Sequence, residues 1–480
     1  MTRFSERTLT EAPTPAPLAP AGPTLALTSA ATAVALMTYT APMVTLPDIA
    51  AALHTPLSAQ AWLLNGTPLG LAALLLVAGS LADDYGRRRV FVAGTLALGL
   101  TTVLGAFAST TLLFTLARIA QGAASAALLA SSLGLIAHAF PTPAGRLRAT
   151  GVWGAFVSGG IAVGPLVTGA MPSWRLSYVV LGAAAVVVGV LSARALPRSD
   201  GGRATAGPAA EAPSNDHASR APRGPRPDLG GAVTFGLALV ALVAALTLGR
   251  DGWLRAPVGL LLLASLVLLA LFVVVERRAT APMIDLGLLR RPGFLASSAG
   301  GLFTGLAVIG LFSFLPALLQ QTMGLSPMDT AWLFLLWSGL SFAVALQARR
   351  LSGRIPPRLQ LALGFLLHAA GVLTMLGSLD SGSWTRLLPG LVVAGVGSGL
   401  LNAALPLLAV ESVPARRAAM GSGAQQTLRY IGSCAGVALT IALATSSGGD
   451  LARGADVAMV VSAGLGVAAG VLVGVLRERG

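Results

Sequence analysis

Lysine is absent from this chain of 480 residues, cysteine occurs once, histidine four times, and charged residues make up only 10%. Each scarcity excludes something. The single cysteine, Cys434, sits in an apolar stretch without metal-ligand spacing, so neither a disulfide framework nor a metal site is implied, and it reads as a small helix-packing residue. No nucleophile–base constellation, phosphate loop or nucleotide-binding motif is present. An enzyme or membrane sensor therefore has no supporting motif, ATP is not indicated as an energy source, and no cofactor is called for. With 55% hydrophobic residues and a mean hydropathy of +0.78, the chain is too apolar for a soluble protein of ordinary composition. It reads as an all-α polytopic membrane protein. The net charge of +14 could suggest nucleic acid, but every basic residue is arginine and most lie in short loops between apolar spans, so topology explains the charge better.

Apolar windows long enough to cross the hydrocarbon core as helices fall near 24–46, 59–82, 89–108, 111–136, 149–171, 176–196, 229–249, 256–275, 294–318, 328–348, 359–378, 386–409, 418–445 and 455–476. That predicts 14 transmembrane helices. On this topology 25 of the 32 arginines lie on one side, five on the other (Arg175, Arg250, Arg255, Arg386, Arg453) and two, Arg118 and Arg429, within the membrane. The positive-inside rule then places both termini in the cytoplasm and the protein in the cell (inner) membrane.

The Pro-, Ala- and Thr-rich residues 1–22 read as a disordered cytoplasmic tail, and the Pro-, Gly- and Arg-rich segment 197–227 as a flexible linker. The linker divides the chain into six, two and six helices. A six-helix lobe occupies 23–196, an extra pair of helices 228–275, a cytoplasmic segment 276–293, and a second six-helix lobe 294–480. Internal echoes support two homologous halves. Arg148-Ala149-Thr150-Gly151 before Gly160-x-x-x-Gly164 is mirrored by Arg417-Ala418-Ala419-Met420-Gly421 before Gly432-x-x-x-Gly436, and small-xxx-small spacing lets helix backbones approach closely.

The chain is organised around Gly79-Ser80-Leu81-Ala82-Asp83-Asp84-Tyr85-Gly86-Arg87-Arg88-Arg89, charge and glycine wedged between two apolar helices. The arginines hold the loop on the cytoplasmic face, Gly86 permits a tight turn, and Asp83 can face a helix N-terminus or an arginine. This run resembles the loop after the second helix in the major facilitator superfamily, whose pattern is Gly-x-Leu-Ala-Asp-basic-x-Gly-Arg-basic. Asp84 stands where that family carries a basic residue. In the fourth helix Arg118 places a permanent charge in an apolar span, with Gln121 and Gly122 on its face. Two readings follow: the stripe looks into a polar cavity, or the arginine binds backbone carbonyls to lock a helix break. The resemblance, through Arg-x-x-Gln-Gly, implies a role in proton-coupled transport.

The fifth helix, Gly154 to Gly169, combines Gly160, Gly164 and Gly169 with the interior Pro165, which predicts a close contact and bend between the lobes. It resembles the Gly-Pro motif of exporting members. The extra pair of helices, the Glu276–Leu286 segment and Arg429 before Gly432 and Gly436 resemble the fourteen-helix drug:proton antiporter branch. That branch carries an acid in its first helix where Thr38 stands here. Asp48 near the outer end of the first helix is the substitute candidate, with a helix-terminus role as its other reading; Glu411 lies near an inner helix end, and His368 reads as a packing residue. The resemblance implies a monomeric exporter of small hydrophobic or amphipathic compounds, a drug or antibiotic efflux pump working by alternating access with proton antiport. An importer or proton-independent facilitator is the alternative.

Overall fold

A computed structural model describes residues 21–196, 229–249, 255–278, 291–351, 355–413, 418–448 and 450–475. The whole linker, the expected tail up to residue 20 and most of the 276–293 segment lie outside the described residues, while residues 21 and 22 of the expected tail belong to the first helix. Among those described, fourteen long helices follow one another: α1 Ala21–Ala52, α2 Gln60–Tyr85, α3 Arg87–Ala106, α4 Thr111–Ala139, α5 Pro143–Gly169, α6 Trp174–Ala195, α7 Leu229–Gly249, α8 Ala256–Arg278, α9 Pro292–Met323, α10 Pro327–Leu351, α11 Pro357–Leu373, α12 Leu387–Glu411, α13 Ala418–Ala444 and α14 Leu451–Val475. Eleven are long and apolar enough to span a membrane, fewer than the fourteen windows predict. One reason is local. The window 359–378 overruns α11, which stops after 17 residues, and the chain then turns through Gly377 and Gly382, both at positive φ.

The first six helices and the last six use the same pairing. α1 packs on α5, α2 on α4 and α3 on α6; correspondingly α9 packs on α13, α10 on α12 and α11 on α14. α7 and α8 pair through Phe235 and Phe272, 5.0 Å between ring centroids, and through Ser265 Oγ donating to the Ala238 carbonyl at 2.9 Å. α7 then lies against α2 and α13, the seam where the two groups of six meet. The outer side of α8 exposes Leu260, Leu263, Leu266 and Val267. Such a surface needs lipid, and the chain is a multi-pass membrane protein.

Backbone contact replaces side-chain packing where helices come closest. A Cβ at Gly122 of α4 would stand 2.2 Å from the Thr67 carbonyl oxygen of α2, and one at Gly432 of α13 would stand 2.0 Å from that of Leu302 in α9. Opposite Gly432 and Gly436, α9 is not regular: Thr304–Ile309 forms a π turn.

At one end of the bundle, the end of Gly86, that glycine joins α2 to α3 at φ 94°. Arg87 Nη1 donates to the Gly134 carbonyl of α4 at 3.1 Å, and Arg88 Nη2 bonds the Ala193 carbonyl of α6. Ala193 belongs to the last turn of its helix, whose carbonyls lack intrahelical donors, so Arg88 satisfies an acceptor there. Gly79 and Leu81 lie half-buried in the last turns of α2; the side chain of Asp83 is outside the described residues.

At the opposite end, that of Leu53, the two groups are hydrogen-bonded to each other. Gln320 Nε2 of α9 donates to the Val44 carbonyl of α1 at 2.8 Å. Asn65 Nδ2 of α2 donates to the Cys434 carbonyl of α13 at 2.9 Å.

Candidate functional site

A cavity opens at mid-helix depth between the two groups. α1 contributes Tyr39, Thr40 and Met43; α5 contributes Ser158 and Ile161. α9 brings Thr304, Phe312 and Ser313, the first of these from its π turn. α10 presents one stripe, Phe334, Trp337, Ser338, Ser341 and Ala345, at the three- and four-residue spacing of a single helix face. α12 adds Ser398 and Asn402, and α13 adds Arg429. The wall is therefore aromatic and hydroxylic with one charge.

Two features give it shape. Phe312 and Trp337 stack with centroids 4.2 Å apart and planes 9° from parallel, while Phe334 meets Trp337 edge-on at 5.3 Å. Asn402 Nδ2 donates to Ser341 Oγ at 3.1 Å, tying α12 to α10. The Ser338 hydroxyl donates to the Phe334 carbonyl and that of Thr304 to the Gly300 carbonyl, so their lone pairs remain as acceptors.

Arg118 and Gln121 stand behind this wall, not on it. Both are completely buried. Arg118 Nη1 donates to the Thr38 carbonyl at 2.7 Å and to Gln121 Oε1 at 3.0 Å, while Nη2 donates to the Tyr39 carbonyl at 3.1 Å. The cause is readable in α1. Pro42 has no N–H, so the carbonyl four residues earlier, that of Thr38, has no intrahelical donor. In the membrane interior that acceptor needs another donor, and Arg118 supplies it. Of the two sequence readings, the geometry is that of the carbonyl-binding arginine. Gln121 Nε2 continues toward the Thr101 carbonyl at 3.4 Å, and Gly122 faces α2.

Thr38, at the position expected for an acid, turns its hydroxyl back onto the Val34 carbonyl at 2.9 Å. Asp48 is exposed at the far end of α1, ten residues on, roughly 15 Å along a helix, so the structure does not bring it to Arg118. Glu411 is exposed at the end of α12.

The glycine motif of α5 divides between two neighbours. Gly160 and Gly164 face α1, where a Cβ would come within 2.6 Å of the Ala33 carbonyl oxygen and 2.3 Å of Thr40 Oγ1. The expected contact between the two halves is thus made elsewhere in the motif. Gly169, at the end of the helix, reaches the Pro327 carbonyl oxygen of α10, 3.1 Å from its would-be Cβ. Pro165 lies buried within α5.

In the second group, Gly432 and Gly436 seat the π turn of α9. Ser462 Oγ donates to the Ala307 carbonyl of that turn at 2.9 Å and meets His368 Nε2 at 3.2 Å. His368 is thus tied into helix packing one layer behind Phe312. Cys434 is buried, and besides its carbonyl bond its thiol approaches the Asn65 carbonyl at 3.8 Å.

The family model of the Major Facilitator Superfamily matches residues 28–437. The chain belongs to this superfamily. It is 32% identical to the puromycin resistance protein pur8 of Streptomyces alboniger over 84% of this chain and 78% of that one. It is 31% identical to the multidrug resistance protein Stp of Mycobacterium tuberculosis over 82% of this chain and 71% of that one. A probable actinorhodin transporter of Streptomyces coelicolor is 32% identical over 82% of this chain and 67% of its own length. Among solved structures, a bacterial homologue of the human lysosomal transporter Spinster, inward-facing and unoccupied, superposes with a TM-score of 0.63 over 94% of this chain and 96% of that one, at 16% identity. The fold is that of a major facilitator transporter, and of the named relatives two are drug or antibiotic resistance proteins and the third is a probable transporter.

Proposed function

We propose that this protein exports small hydrophobic or amphipathic compounds across the cell membrane by alternating access, with proton antiport as the driving reaction. The observation that carries the reading is the cavity, at mid-helix depth and walled by α1 and α5 on one side and α9, α10, α12 and α13 on the other. A site built between two similarly paired halves can be exposed to either face when the halves rock. In this reading the helices are six, two and six, with both termini cytoplasmic, and the protein works as a monomer. The Leu53 end is then the outer one, closed here by the Gln320–Val44 and Asn65–Cys434 bonds. The resistance functions for which two of the relatives are named support the direction of transport.

The proposed parts fall into three sets. Gly79, Leu81, Asp83, Gly86, Arg87 and Arg88 form the cytoplasmic hinge. Gly160, Gly164 and Pro165 in the first half and Gly432 and Gly436 in the second keep each half rigid as it moves, and Gly169 sits where the halves meet. Arg118, Gln121 and Gly122 link the first half to the cavity through Tyr39, whose carbonyl Arg118 holds and whose ring lines the wall.

One observation favours a second reading, a proton-independent facilitator. Among the described residues no carboxylate lines the cavity or faces Arg118. Everted membrane vesicles separate the two. Under proton antiport, substrate accumulates when the lumen is acidified and the accumulation collapses with a protonophore; equilibration insensitive to both establishes the facilitator. Vesicles that take up no more of any tested compound than vesicles lacking the protein would overturn both readings.

A further inference from the structure

We propose that the cavity selects planar aromatic compounds that carry an anionic oxygen, a carboxylate or an acidic phenol, and rejects cations of the same shape. The proposal deepens the transport reading and rests on it. Its first ground is charge. Among the described residues Arg429 is the single ionisable side chain on the wall apart from the Tyr39 phenol, and no carboxylate among them stands there to balance it. Among the described residues its guanidinium makes no hydrogen bond, and its Nε is buried without a partner. A half-buried arginine with free donors in a low-dielectric site is a ready partner for a planar carboxylate, which it can bind through two parallel hydrogen bonds.

The second arginine adds to the first. Arg118 is wholly buried directly behind Tyr39, and its own partners are two carbonyls and an amide rather than an acid, so its charge is not neutralised there. Two positive charges, and no negative one among the described residues, make the cavity a positive trap. A cationic guest would lose its hydration and meet repulsion as well, and that like-charge penalty is how such a site excludes it.

The remaining ground is shape. Trp337 and Phe312 lie nearly parallel on the wall, an aromatic platform against which a flat ring system can stack. The indole Nε1 of Trp337 is buried with no acceptor among the described residues, a second donor for an oxygen on the guest. Around the rim Asn402 and the serine hydroxyls accept or donate as the guest requires, without adding charge.

Three isosteric probes test this on the purified full-length protein in lipid nanodiscs: anthraquinone-2-carboxylate, neutral 2-methylanthraquinone and cationic 2-(aminomethyl)anthraquinone. Binding is read by quenching of tryptophan fluorescence, with Trp337→Phe identifying the part that comes from the cavity. The carboxylate should bind roughly ten- to a hundred-fold more tightly than the ammonium compound, the size expected of a desolvated charge-assisted pair. Arg429→Gln should remove that preference and Arg429→Lys should retain part of it. The wild-type ranking alone decides the matter if the Gln variant does not fold. Equal or tighter binding of the cation, a preference that survives Arg429→Gln, or no binding of any of the three would overturn the proposal. Uptake of the same compounds into everted vesicles keeps the two readings apart. Anion-selective binding without transport would sink the exporter and leave the site; export of the cation but not the anion would sink the site assignment and leave the exporter.

Discussion

The guanidinium of Arg118 in α4 is hydrogen-bonded, at 2.7 Å, to the main-chain carbonyl of Thr38 in α1, the acceptor that Pro42 deprives of its helical donor. The same residue, Thr38, occupies the place where the sequence resemblance leads one to expect an acid, and its hydroxyl is engaged with Val34. The arginine therefore couples to the backbone of the first helix, where the family pattern leads one to expect a side-chain carboxylate. That arrangement joins three otherwise separate sequence features: a buried charge, a helix-interior proline and a missing acid.

Replacing Arg118 with Ala should orphan the acceptors of Thr38 and Gln121 and uncouple α4 from α1. Each buried acceptor left unmade costs roughly 1–3 kcal/mol, so thermal unfolding of the detergent-solubilised variant should begin several degrees lower and transport should be lost. Arg118→Lys, which keeps the charge but not the two-armed geometry, should recover part of the stability. A variant Arg118→Ala as stable as wild type in a melting experiment would show that the carbonyl bonds carry no weight.

Thr38→Asp is the more informative substitution. It introduces a carboxylate on the turn of α1 whose carbonyl Arg118 already holds, and so builds a titratable pair where none exists among the described residues. Uptake into everted vesicles by this variant should depend more steeply on an imposed pH gradient than that of wild type. Identical dependence in the two proteins would mean that the proton pathway, if one exists, does not pass through this turn.

The glycine contacts allow a graded test. Gly164→Val pushes a side chain into Thr40 and Met37 of α1, and Gly432→Val pushes one into the main chain of Leu302. The nearest atom to a Cβ at Gly164 is the Thr40 hydroxyl, which can rotate, with the Met37 main chain 2.8 Å away, whereas a Cβ at Gly432 meets the Leu302 carbonyl oxygen at 2.0 Å, which cannot move aside. Overpacking costs roughly 1–3 kcal/mol or more, and the second variant should lie at the upper end. Comparing the yields of folded protein by size-exclusion chromatography gives the order; Gly164→Val as the worse of the two would contradict it.

Much of this fold is legible because spanning a bilayer is a local property. About twenty apolar residues announce a helix whatever they pack against, and the windows at 111–136, 256–275 and 386–409 lie close to the helices found. The end of α11 escapes that reading because its helical bonds give way to three-residue turns, Met375 to Val372 and Leu376 to Leu373, ahead of Gly377 at positive φ, without a break in hydropathy. Arg118 stands out in the sequence as a lone charge, yet its partners do not, since carbonyls belong to every residue and only packing selects one. Pro42, four residues after Thr38, was the available signal. The cavity wall was less visible still. Trp337 and Phe312 look like ordinary apolar residues, and only the repeat of Phe334, Trp337 with Ser338, Ser341 and Ala345 on one face hints at an aromatic and hydroxylic stripe. The π turn has no sequence mark beyond Gly305 and Gly310, and its necessity arises from Gly432 and Gly436 on another helix.

Gln320 offers a test of how the two halves are held. Its amide donates to the Val44 carbonyl of α1 and to Thr330 Oγ1 of α10, at 2.8 and 3.2 Å, so one side chain ties α9 to both the first half and its own neighbour. The bond lies at the Leu53 end, where the halves touch, and nothing comparable is required of it in a state open at that end. Its free energy therefore counts toward one conformation only, and a ligand-independent shift of the equilibrium is the expected result of removing it. A net hydrogen bond of about 1 kcal/mol corresponds to roughly a fivefold change in the ratio of the two states. Gln320→Ala should accordingly increase the population opened at the Leu53 end by that factor. Spin labels placed at exposed residues near that end, one on α1 and one on α10, report the change as a growing long-distance component in electron–electron resonance. An unchanged distance distribution would mean that the Asn65–Cys434 contact, or the apolar packing around it, holds the halves together without help from Gln320.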